Sequence, residues 1–230
     1  KYFMYGSESS SDGGWISWFI ELEGHEFFVE VDVEYIRDSF NLYGLKERVP
    51  HHYNEALNMI LSSESPDSED LNDQSFLEVY QAAMDLYGLI HARFILSPRG
   101  LAMMREKFLL GAFGMCQRIL CDRQVVLPIG LSEELSTSRV KIFCPRCQEV
   151  YVPRQKHLDI DGAYFGISFA NILFKTYPDL YPKDGPLTYQ PLIFGFKIFG
   201  QRGSAHEEQF DNSGHRTNKS AAEVLTEIKQ

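Results

Sequence analysis

Apolar residues over the first hundred positions recur with helical spacing. In WISWFIEL (residues 15–22), Trp15, Trp18, Phe19 and Leu22 fall at i, i+3, i+4 and i+7, on one face of a helix. Asp32 is placed to cap a short helix carrying Ile36 and Phe40, which Gly44 helps to end. Tyr53, Leu57, Ile60 and Leu61 mark a third helix. Ser75-x-x-Glu78 has the form of a capping box at the head of a long helix, whose stripe runs through Val79, Ala83, Leu86, Tyr87, Ile90 and Phe94. Ser97-Pro98 opens a fifth, with Leu101, Met104 and Phe108 on one face and Gly111 as its stop. These stripes predict a helical module whose aromatic and methionine residues form its core.

Further along, the period shortens to two. Val140, Ile142 and Cys144 alternate before one cysteine pair, and Val150 and Val152 follow it, the order strand, knuckle, strand. LPIG (127–130) ends a return segment in a turn, Asp161-Gly162 marks another turn, and Ser168 to Tyr177 suit a short helix. QPLIFGFKIFG (190–200) alternates again, with Phe194, Phe196 and Ile198 on one side and Ile193, Lys197 and Phe199 on the other. Spacing alone leaves two readings of it. It is either a strand packed on the helical module or an exposed aromatic segment that meets another protein, with Gly195 permitting close backbone approach. Residues 201–230 are polar, without a stripe before Val224, Leu225 and Ile228, and are expected to be disordered.

The chain has four cysteines, in two close pairs. Cys116 and Cys121 enclose four residues, Cys144 and Cys147 enclose two, and 22 residues separate the pairs. Two short turns that each present two sulfurs make a closed tetrahedral site, so one structural Zn²⁺ per chain is the expectation. A thioredoxin-like pair would want a βαβ context and would leave Cys116 and Cys121 unexplained. Disulfides suit a secreted chain, and unrelated buried thiols would not fall in two pairs. Four thiolates leave no open coordination position, which excludes a zinc hydrolase. Arg123, Lys141 and Arg146 are read as offsetting the negative thiolates, with a phosphate-binding patch as the other reading.

Charge divides the chain. Residues 1–110 carry eight basic against nineteen acidic side chains, whereas 111–200 carry ten against eight. Two modules follow from that asymmetry, and the acidic one opposes nucleic-acid binding. A zinc-ribbon nucleic-acid adaptor acting through Arg123, Lys141, Arg146, Arg154 and Lys156 is the alternative from another class. The segment SSESPDSEDLND (62–73) contains Glu64, Asp67, Glu69, Asp70 and Asp73 and no basic residue. It reads as a solvated loop or as an electrostatic landing strip for polyamines or basic proteins. No apolar run approaches a membrane span and no secretion leader is seen; the first residue is Lys1, as after trimming, and a cytoplasmic and nuclear location is expected. Serine-hydrolase, zincin, phosphate-loop and nucleotide-binding motifs are absent. His91 sits mid-helix outside any kinase catalytic-loop motif, and each histidine is read as a surface or structural residue.

Several stretches together resemble one family, the regulatory (beta) subunits of casein kinase II. They are WISWFIELEGHEFFVEVDVEYIRDSFNL, LYGLIHARFIL (86–96), LPIGL (127–131), the cysteine spacing with CPRC-x3-Y-x-P, DGAYFG (161–166) and FGFKI (194–198). The resemblance implies a non-catalytic protein that dimerises through its zinc ribbon and gathers two kinase catalytic (alpha) subunits into a tetramer. It implies docking on the catalytic subunit through Phe194 and Phe196, and a regulatory, polyamine-responsive role for residues 62–73. It also implies phosphorylation near Ser9, Ser10 and Ser11. Around the first knuckle, Ile119, Leu120 and Val126 are the apolar residues expected at the dimer contact. Gln117 and Leu120 depart from the proline and the aromatic residue usual in the family.

The expected architecture is α+β: an all-α N-terminal domain (15–110), a small zinc-ribbon β domain (111–178) and an extended docking segment (179–200). A flexible acidic, serine-rich stretch (1–14) and a disordered tail (201–230) flank them.

Overall fold

Aromatic burial organises the N-terminal half. The structure, a computed structural model, describes residues 14–67, 70–154, 157 and 159–197. Six helices come first: α1 (Gly14–Glu21), α2 (Val33–Arg37), α3 (Leu45–Arg48), α4 (Tyr53–Ile60), α5 (Gln74–Phe94) and α6 (Pro98–Leu109). Trp15 is fully buried and stacks on Phe19 at 4.8 Å, and both meet the ring of Tyr87 on α5 edge-on. Burying such large rings is the main favourable term here. Among the described residues no helix is long and apolar enough to cross a membrane.

Helix ends differ in detail from the expected ones. At α5 the cap is Asp73, whose side chain accepts the Ser75 N–H, so the Ser75/Glu78 capping box does not form. Asp32 makes no cap bond and instead pairs with Arg99 of α6 at 2.8 Å. Helix α2 stops at Arg37, leaving Phe40 in a turn and 83% exposed. Ser97 does cap α6 by accepting the Gly100 N–H, with Pro98 in the first turn.

Residues 27–31 run between α1 and α2 without a strand partner. Phe27, Phe28, Val29 and Val31 are buried, so their backbone groups need partners from elsewhere. Side chains supply them. Lys107 Nζ donates to Phe28 O (2.6 Å), the Val29 N–H donates to His91 Nε2 (3.2 Å), and Tyr87 Oη accepts the Val31 N–H while donating to Val29 O (3.2 Å each).

The sheet is small and antiparallel, in the order β1 (Leu127–Ile129), β2 (Lys141–Phe143), β3 (Val150–Tyr151). After it come a 3-10 turn at Gly162–Tyr164 and helix α7 (Phe169–Thr176), which packs on β1. Asp161 holds that turn by accepting the Ala163 and Ser136 N–H groups. Helices and sheet belong to one compact unit that ends at Gly185, and the second unit starts at Pro186.

The joint between helices and sheet lies where α5 meets the 3-10 turn. His91 Nδ1 donates to Tyr164 O (2.8 Å) and Tyr164 Oη donates to Asp85 (2.7 Å). Because Nε2 already accepts from Val29, the proton of His91 must sit on Nδ1. Gly88 faces the Tyr164 ring so closely that a Cβ there would lie 2.0 Å from the ring's Cδ1. LYGLIHAR and DGAYFG, 68 positions apart at their closest, are thus two sides of one contact.

The second unit contains a hairpin, β4 (Leu192–Ile193) paired with β5 (Phe196–Lys197). The two turn residues, Phe194 (φ 49°) and Gly195 (φ 86°), both have positive φ, the requirement of a tight type I′ turn. The alternation over 190–200 is therefore broken at its centre. Gly195 supplies one of the two positive-φ positions of that turn, and within the described chain no atom outside its neighbours lies within 4 Å of where its Cβ would be.

Candidate metal centre

The two knuckles are shaped by backbone before any ligand is considered. In the first, the Cys116 N–H donates to Gln124 O (2.7 Å), and a 3-10 turn at Ile119–Cys121 brings Cys121 back beside Cys116. Asp122 and Arg123 take left-handed backbone conformations to close it. In the second, the Cys144 N–H donates to Glu149 O and the Gln148 N–H returns to Cys144 O, with Gln148 also left-handed. Strand β2 delivers Cys144 and β3 begins soon after Cys147.

All four sulfurs lie within 4.8 Å of one another. Cys116 and Cys147 are 3.8 Å apart and Cys121 and Cys144 3.7 Å, and all four cysteines are free thiols. Sulfurs about 2.3 Å from a tetrahedral zinc ion are about 3.8 Å apart along each edge, so the donor set fits that ion. The pair spacing read from the sequence thus brings four thiols into one cluster that could hold a metal.

Sulfur electrostatics agree. Burial pushes the Cys121 thiol up to about 11 and raises Cys144 further, so a bare cluster would keep these two protonated. Burial also opposes ionisation of Cys147, but the Tyr151 hydroxyl and the Glu149 N–H outweigh it and bring that thiol down to about 7. A cation at the centre would hold all four as thiolates. The Arg118 N–H donates to Cys116 Sγ at 3.4 Å. Arg146 Nη1 donates to Cys121 O and lies 3.7 Å from Asp122.

Around this cluster the expected contact residues separate. Ile119 is 94% exposed and Leu120 half-buried, but Val126 is fully buried. Val126 therefore belongs to the core of the chain and offers no surface to a partner, a correction that follows from its place between the knuckle return and β1. Phe194 and Phe196 of the hairpin are 97% and 78% exposed. Ile198 and Phe199 lie outside the described residues, as do Ser9, Ser10, Ser11, Glu69, Lys156 and the 201–230 tail.

The acidic segment is less free than its composition suggests. Asp67 accepts the Asp70 N–H and Asp70 accepts the Asp67 N–H, a reciprocal pair of caps. Asp73 caps α5, and its bonds to Ser75 hold its carboxyl below the usual range. Glu64 is exposed. Among the basic residues of the nucleic-acid alternative, Arg146 binds the first knuckle, Arg123 Nε points at Met115 Sδ and Lys141 Nζ donates to Arg139 O.

A surface or structural role is all that local spacing suggests for the histidines, and it gives no hint of what His91 and His157 do. His91 joins three segments. His157 is buried, stacks on Phe27 at 4.0 Å and bonds Gly24 O. Their partners lie between 62 and 133 positions away, beyond the reach of any local pattern.

Comparison with known proteins places this arrangement. The family model for the casein kinase II regulatory subunit matches residues 14–197. Casein kinase II subunit beta of Schizosaccharomyces pombe is 49% identical over 199 residues, covering 85% of this chain and 84% of its own length. The Dictyostelium discoideum subunit beta is 46% identical over 88% of this chain and 74% of its own length. Subunit beta′ of Drosophila melanogaster is 44% identical, with 82% and 85% covered.

Proposed function

The chain belongs to the casein kinase II regulatory subunit family, a regulatory and not a catalytic component, and on that premise we propose that it acts as a zinc-stabilised homodimer that recruits two kinase catalytic subunits. The observation that carries the reading is the four-sulfur cluster, with two edges of tetrahedral length, set beneath an almost fully exposed Ile119. Zinc fixes both knuckles, and Ile119 and Leu120 bury against the same surface of a second copy. A self-complementary patch of that kind gives a two-fold dimer.

Each copy then presents one hairpin. Phe194 and Phe196 are large, apolar and exposed, on a turn that pre-organises them, which is the make-up of a docking hot spot. Glu64 and the other acidic-loop carboxylates left exposed attract polyamines or basic proteins. The direct test is co-purification with a casein kinase II catalytic subunit. The unsubstituted chain should form a one-to-one complex by mass, and Phe194→Ala/Phe196→Ala should lose it while keeping its own dimer in ultracentrifugation. A double variant that still retains the kinase removes the docking role. A dimer that survives chelation with thiol capping removes the zinc-dependent interface.

A further inference from the structure

Three of the four cysteines are buried, and Cys147 alone is partly open to solvent. Its neighbour across the knuckle is Tyr151, the last residue of β3, with Oη 3.3 Å from Cys147 Sγ. A thiolate has no proton to give, so in the ionised cluster this bond runs from the hydroxyl to the sulfur. A shallow cavity of about 540 Å³ opens beside it, lined by Gln117, Arg118, Glu149 and Tyr151. Gln117 Nε2 donates to Val152 O (2.7 Å), tying the first knuckle to the chain just beyond Tyr151.

We propose that Tyr151 is a positioning residue of the metal centre: its hydroxyl holds Cys147 on the ion, and metal loss begins at Cys147 because solvent reaches that sulfur first. The inference rests on the zinc reading above. Ligand loss requires water or a competing donor to reach a sulfur, and Cys147 is the one ligand of four that is not buried. A hydrogen bond from outside the ligand set lowers the charge on that sulfur and fixes its direction, as outer-layer partners do at other metal sites. Ile142, paired with Tyr151 across β2 and β3, keeps the strand in register whether or not the hydroxyl is present.

The test begins with the metal content of the full-length chain; a preparation without zinc fails the zinc reading itself. With zinc present, Tyr151→Phe should release it to a chromogenic chelator about tenfold faster, within the range seen for outer-layer ligand partners. In the cobalt-loaded form its sulfur-to-metal charge-transfer band should move to longer wavelength. An unchanged rate and an unchanged band overturn the proposal, because lost packing alone would not shift the band. The unsubstituted protein supplies a second arm that needs no variant. Under slow chelation with limiting iodoacetamide, peptide mapping should find Cys147 alkylated first, and any other cysteine leading overturns it.

Discussion

Two regions of the chain reach order by different routes. The helical region, residues 14–110, is held by large rings in mutual contact, with Trp15, Phe19, Phe28 and Tyr87 all almost wholly buried. The ribbon, from Phe113 to Tyr151, has strands of three, three and two residues, a smaller share of the same buried core through Val126, Leu127, Val140 and Ile142, and four clustered sulfurs. A sheet this small is marginal in water on its own strands. The first region is held by buried area, the second by less of it and by four sulfurs that could hold a metal.

Removing metal should separate the two most strongly. Structural zinc contributes on the order of 10 kcal/mol or more, so chelation should expose the amides of 116–147 to rapid hydrogen exchange while α5 stays protected. Equal loss of protection in both regions would mean that they fold as one. Next in size is Trp15→Ala, expected to cost about 3–5 kcal/mol in the helical region by cavity formation, read as a fall in the denaturant midpoint. Zinc affinity should hardly change in that variant under folding conditions.

The joint between the regions should carry a pH signature. Burial holds His91 down at about 4 in the folded chain, against an ordinary value near 6.5. The neutral form is thus favoured by folding, and no penalty exists above pH 6.5. As pH falls through the window from 6.5 to about 4, the unfolded chain takes up the proton and stability drops, by up to about 3 kcal/mol before levelling. Urea unfolding over this range should show a steeper slope for the unsubstituted chain than for His91→Gln, which keeps the contribution of buried His25. Smallest is Asp73→Ala, expected to destabilise α5 slightly through its lost cap, detectable as a small fall in thermal midpoint.

What was legible in the sequence followed from local periodicity and spacing. The stripe of α5 and the cap and stop of α6 could be read directly, and so could the pairing of the four cysteines into one cluster. The strap at 27–31 could not, because its backbone is satisfied by side chains of α5 and α6 and not by a strand partner. Ser75 and Glu78 suggest a capping box at α5, and only the geometry shows that Asp73, two positions earlier, is the cap. Val126 and Ile119 are both apolar residues near the first knuckle, yet one is core and the other surface; spacing carries no sign of which. FGFKI reads as an unbroken strand unless both Phe194 and Gly195 adopt positive φ, which composition does not announce.

The bond from Val29 to His91 has a kinetic consequence. His91 can offer its lone pair to that amide only while its other nitrogen is committed to Tyr164, so one proton's position depends on chain segments 135 residues apart. Deuterium uptake at the Val29 amide would therefore report the coming apart of α5 from the turn at Gly162–Tyr164.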